Sequence, residues 1–68
     1  MDKKYFIITV NKEFLGEFSQ TSIGITDQPL RALTFGSERT ARDIKRNLEK
    51  RHEEHVFGIL KVTYEEVS

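Results

Sequence analysis

The chain has no cysteine and no tryptophan, a single proline, four scattered glycines, no excess of either charge and no long apolar run. Each lack removes a class of protein. Without cysteine there are no disulfides, no thiolate zinc sites and no cysteine nucleophiles. Eleven basic and eleven acidic residues cancel, so no overall field draws the chain to DNA, RNA or anionic lipid. No stretch approaches the ~20 apolar residues of a membrane-spanning helix. Met1–Lys4 followed by Tyr5–Val10 has the outline of a secretory signal. Its apolar run is too short, however, and no small-residue cleavage site precedes Lys12 and Glu13. A cytoplasmic protein without membrane association is expected.

Gly16, Gly24, Gly36 and Gly58 match no phosphate-binding loop. The serines form no nucleophile elbow, and no carboxylate pair stands apart from ordinary surface Glu. An enzyme is not expected, and no cofactor is implied. Sixty-eight residues read as a single small domain, residues 1–68. A domain of this size buries only ~60% of its unfolded surface, which favours a well-packed small core or self-association.

What is present is a strong alternation of strand and helix signals. Lys4–Val10, KYFIITV, is dense in aromatic and β-branched residues and reads as a strand. Phe6, Ile8 and Val10 share one face; Tyr5, Ile7 and Thr9 share the other. Asn11-Lys12 predicts a tight turn, since Asn tolerates left-handed backbone angles. Glu13–Ser19 is the return strand. Its alternation groups Phe14 with Gly16 and Phe18, and these aromatics are expected to join Phe6, Ile8 and Val10 in the core. Gly16 predicts a bulge or a close approach. Gln20–Pro29 is irregular, with Ile23 and Ile25 as anchors or a short strand. A helical turn is expected over Asp27–Arg31 and an extended piece over Leu33–Phe35.

Ser37–His52, SERTARDIKRNLEKRH, carries the one sustained helical period. Ser37 is suited to cap its start. Ala41, Ile44 and Leu48 fall on one face at about 100° per residue. Lys50 and Arg51 suit the negative end of the helix dipole. Val56–Glu65 is the closing strand. Its alternation predicts that Leu60, Val62 and Tyr64 are buried, which leaves Phe57 and Ile59 on the other face. Either Gly58 resets the register there or a second apolar surface exists. The order strand, strand, irregular segment, helix, strand defines an α+β fold: a small, mainly antiparallel sheet with one amphipathic helix packed on one face.

Three constellations are candidates for function. Arg39, Arg42, Arg46 and Lys50 share the helix face opposite the apolar stripe, and Arg31 extends the row; Asp43, Glu49 and Glu53 interrupt it. Mixed charge of this kind normally marks a solvated face with weak i,i+4 pairing. Nucleic-acid binding there is the second functional expectation. Tyr5, Phe57 and Ile59 are expected to form a partly exposed apolar surface on the second face of the sheet. Burial against a protein partner or a second copy is the leading use for it. His52-Glu53-Glu54-His55 spaces its histidines by three, not by the four of the zincin helix. A structural role, with no metal, is expected for it.

A YFIITV strand with its hairpin return, then ITDQPLRALTFGSERTARDIKRNL, then a closing strand, resembles a loose class of small phage and prophage proteins of Gram-positive bacteria. Ala32, Phe35, Ser37 and Ala41 occupy the places where that class sets a capped helix behind a hairpin. The resemblance implies an accessory phage or mobile-element protein, a class that includes small inhibitors of host factors and defence systems. It carries no functional residue over. The sequence therefore predicts a non-enzymatic α+β protein that acts by binding a protein partner or a second copy of itself.

Overall fold

The computed structural model describes residues 2–65 and 67, with the side chain of Asp2 left out. Strands β1 (Asp2–Val10), β2 (Glu13–Phe18) and β3 (Ile23–Thr26) precede a 3-10 turn at Pro29–Arg31. Helix α1 (Glu38–Arg51) and strand β4 (Phe57–Glu65) complete the chain. The strands form one antiparallel sheet in the order β3-β2-β1-β4. The helix packs across β1 and β4. This is the small α+β architecture expected from the order of the elements.

Asn11 and Lys12 form the β1–β2 turn with φ of 51° and 74°. Two consecutive left-handed residues give a hairpin turn whose twist matches that of the flanking strands. Such a turn fixes parity. Val10 stands opposite Glu13 and Thr9 opposite Phe14, so Leu15 falls on the same side as Val10. Leu15 is fully buried, Phe14 is half-buried on the other face and Phe18 is 43% exposed. The core residue of β2 is therefore Leu15, not the pair Phe14 and Phe18. The expected irregularity at Gly16 is present: the β2–β3 register shifts between Leu15 and Glu17. The extra residue brings Phe18 back to the helix side, where it borders Ile44 and Leu48. A Cβ at Gly16 would lie 3.3 Å from Thr26 Cγ2, so the close approach is real as well.

The register of β4 also reverses an expectation. Phe57 stands opposite Val10 and Ile59 opposite Ile8, and both pack into the core. Leu60, Val62 and Tyr64 oppose Ile7, Tyr5 and Lys3 on the face away from the helix. No register reset occurs at Gly58; the ladder runs unbroken from Phe57 to Glu65.

One core results. Phe6, Ile8, Val10, Leu15 and Phe57 meet Ala41 and Leu48, with Ile23, Leu33, Phe35, Ile44 and Ile59 at its margin. The helix begins as its sequence predicts, with Ser37 Oγ accepting the Thr40 N–H at 3.4 Å. It ends at His52, whose N–H donates to Leu48 O. The expected turn at Asp27–Arg31 is shorter and follows Gln28. The expected extended piece ends in a bridge from Phe35 to Phe6. There Phe6 N–H donates to Phe35 O and Phe35 N–H to Phe6 O, each at 2.8 Å. Leu33 N–H meanwhile reaches Leu15 O at 2.9 Å. The piece thus fills the gap where β2 curls away from β1.

Candidate functional site

The helix covers one face of the sheet, and its apolar stripe is spent there. On the other face, antiparallel partners place Tyr5 beside Val62, Ile7 beside Leu60 and Thr9 beside Gly58. Phe14 adjoins them across from Thr9. Helix α1 packs on the opposite side, against Phe6, Ile8 and Val10. Leu60 is 45% and Tyr64 47% exposed, while Ile7 at its centre is buried. The rings of Tyr5 and Tyr64 meet at 5.7 Å between centroids, tilted by 51°, in the range of a favourable aromatic pair. The surface is apolar at its centre, with two phenol groups and Lys3 at one end.

Of the residues expected to form an apolar surface, only Tyr5 lies here. Phe57 and Ile59 belong to the core, because the β1–β4 register sets them against Val10 and Ile8. The second apolar surface exists, but Leu60, Val62 and Tyr64 build it. The two-residue turn and the β4 pairing decide this, and the alternation within each strand alone does not.

The helix row is assembled as expected. Arg39, Arg42, Arg46 and Lys50 are all exposed, and their spacing sets them along one line of the helix. Arg42 Nε donates to Glu38 Oε2 at 2.7 Å, and Lys45 pairs with Glu49 at 3.3 Å. Exposed pairs of this kind contribute ~0.3–0.5 kcal/mol each. Arg31 does not extend the row; it lines a cleft with Gly16, Glu17, Gly24, Ile25 and Thr26 beside the β2–β3 edge. The outer face therefore presents a short, partly neutralised basic line.

His52 and His55 flank the carboxylate of Glu54: Oε1 lies 3.7 Å from His52 Nδ1 and 3.6 Å from His55 Nε2. Hydrogen bonding argues for a structural role. Asn11 Oδ1 accepts the Val56 N–H at 2.8 Å, so its Nδ2 is the group facing His55 Nδ1 at 2.7 Å. Nδ1 is then an acceptor, and the ring proton of the neutral imidazole sits on Nε2. The hydrogen bond from Asn11 thus occupies the Nδ1 lone pair of His55. No group of three metal-ligating side chains occurs among the described residues.

What the cluster does is join the β1–β2 turn to the start of β4, helped by Asn11 N–H donating to Val56 O at 2.8 Å. Asn11→Ala removes both side-chain bonds and the polar side chain by which Asn tolerates the left-handed conformation. A loss of about 1–2 kcal/mol is expected in a urea titration. Asn11→Gly, which accepts the backbone angle, should lose less.

Comparison with known proteins finds no matching family model, no matching curated protein and no matching solved structure. No helix among the described residues is long and apolar enough to cross a membrane. The fold and surface define a class only: a four-stranded antiparallel sheet with a helix on one face and an apolar opposite face.

Proposed function

We propose that this chain is a non-enzymatic binding protein that engages another protein through the open face of its sheet. The observation that carries this reading is the partly exposed patch on the sheet face away from the helix, where Leu60 and Tyr64 are exposed and Tyr5 and Val62 half-buried around buried Ile7. Contiguous apolar surface rimmed by charge is what protein interfaces present. Tyr is favoured in such places because it buries a large ring while keeping a polar end. The resemblance to small phage proteins is in keeping with this, since that class includes inhibitors that bind host factors. The basic line on the helix takes second place, because Glu38 holds Arg42 and Asp43 stands beside it.

The double variant Leu60→Lys with Tyr64→Ser tests the reading. Both side chains are about half exposed, so the circular-dichroism spectrum should keep its shape, with melting lowered modestly by loss of the Tyr5–Tyr64 ring contact. Affinity capture from host lysate should be lost. Charge reversal at Arg42 and Arg46 should leave capture intact. Undiminished capture by the open-face variant, or a parent chain that captures no protein, would count against it.

A further inference from the structure

The outer edge of β4 is unpaired by any strand of the described residues, and its chemistry can be read residue by residue. Both backbone groups of Phe6 point to Phe35, so they point away from β4. Phe6 and Lys61 are therefore a non-hydrogen-bonded pair of the β1–β4 ladder. By alternation, the backbone N–H and C=O groups of Ile59, Lys61, Thr63 and Glu65 all face outward. The edge is nine residues long, without proline and without a bulge. Native proteins rarely leave such an edge open.

The far half of this strand also lacks support from within the chain. β2 pairs with β1 at Thr9 and Val10, and Phe35 bridges to Phe6. Beyond Phe6, towards Asp2, β4 is the only strand neighbour of β1 among the described residues. A two-stranded ribbon is marginal in water by itself. The molecule is elongated, with extents of 42 × 23 × 18 Å.

We propose that two copies of this chain pair antiparallel along the outer edge of β4, about a two-fold axis at Thr63. In that register Lys61 of each copy stands opposite Glu65 of the other. Thr63 meets Thr63, and Val62 meets Tyr64 on the open face. Opposite charges, paired threonines and an aromatic beside a β-branched residue are the favourable cross-strand pairs. Neither Lys61 nor Glu65 has an ion-pair partner among the described residues.

The register matters because a lysine on an edge strand ordinarily blocks pairing. An axis at Lys61 would set the two ammonium groups against each other. The Thr63 axis sets each against a carboxylate and makes the contact self-complementary, as a two-fold interface requires. Pairing joins the two four-stranded sheets and makes one continuous apolar face of both copies. It deepens the reading of the open face as a binding surface, and it rests on that reading only for the use of the joined face.

Sedimentation equilibrium from micromolar to millimolar concentration tests the pairing. The parent chain should be a dimer. Lys61→Glu and Glu65→Lys should each raise the dissociation constant roughly 10–30-fold, since both cross-strand pairs become repulsive. The double exchange K61E/E65K should restore it. Thr63→Pro should abolish the dimer while keeping the circular-dichroism spectrum, because the lost N–H faces away from β1 and proline is tolerated there. A monomeric parent chain overturns the proposal. So does a dimer indifferent to Lys61→Glu and Thr63→Pro, or one that K61E/E65K fails to restore. Capture lost in the Leu60/Tyr64 variant would still support the open face in each of those cases, so the two readings fail separately.

Discussion

Leu48→Asp is expected to leave the chain unfolded at 25 °C. Leu48 is 3% exposed and sits where the helix stripe meets Phe6, Ile8, Val10, Leu15 and Phe57. Removing a buried Leu side chain alone costs ~2–5 kcal/mol. Asp adds the cost of bringing an unpaired carboxylate into that apolar setting, several kcal/mol unless it protonates. A core of this size rarely supplies more than ~3–5 kcal/mol in total, so the substitution exceeds what is available. Far-UV circular dichroism should show loss of strand and helix together, with no cooperative urea transition. Arg46→Asp on the exposed face of the same helix is the control and should unfold at a urea concentration close to the parent's. A Leu48→Asp variant that keeps a cooperative transition within ~1 kcal/mol of the parent would mean that the helix does not pack by this face.

That expectation was legible in the sequence because the helix signal is self-contained. Ser37, the Ala41–Ile44–Leu48 period and the closing Lys50-Arg51 all act within one element, and the structure has the cap and the buried stripe where they indicate. Strand faces are different. Alternation tells which residues of a strand point together, but not which group faces the core. In β4 both groups are apolar, Phe57 with Ile59 and Leu60 with Val62 and Tyr64, so the choice falls to pairing with β1. In β2 the two residues of the turn force Glu13 and Leu15 onto the side of Val10, whereas alternation by itself favours the larger side chains of Phe14 and Phe18. Strand β3 and the Phe35 bridge were less legible again, since partners distant in sequence create them.

The candidate surface shares that fate. Alternation within β1 places Tyr5 on this surface, whereas alternation within β4 points Leu60, Val62 and Tyr64 to the core. A surface built across two strands becomes readable only when their register is known. The helix row needs no register: Arg39, Arg42, Arg46 and Lys50 lie along one exposed line without Arg31, and Glu38 reduces its charge through a pair four residues away. Composition excluded catalysis by cysteine but left the kind of partner open. That question now rests on the open face and the edge of β4.

Leu15→Ala is expected to be the most damaging of the alanine substitutions in β2, ahead of Phe14→Ala and Phe18→Ala. Size alone argues the reverse, since a buried Phe loses more than a buried Leu. Position decides. Leu15 has no exposed surface, lies among Ile8, Val10 and Phe57 in the core, and its carbonyl holds Leu33 in place. Truncation leaves a cavity in that core, which adds to the lost transfer energy. The cost should be ~2–4 kcal/mol, or a fall in melting temperature of roughly 10–25 °C for a domain of this length. Phe14 and Phe18 both keep part of their surface in water, so each truncation forfeits only part of the transfer energy, about 1–1.5 kcal/mol. Urea midpoints of the three variants give the order directly, provided the slopes remain equal. A ranking with Phe14 first would restore the face read from alternation alone and displace the two-residue turn as the feature that sets the sheet. With Leu15 first, the parity of Asn11-Lys12 propagates through β2, and the Gly16 bulge is what lets Phe18 return to the helix side.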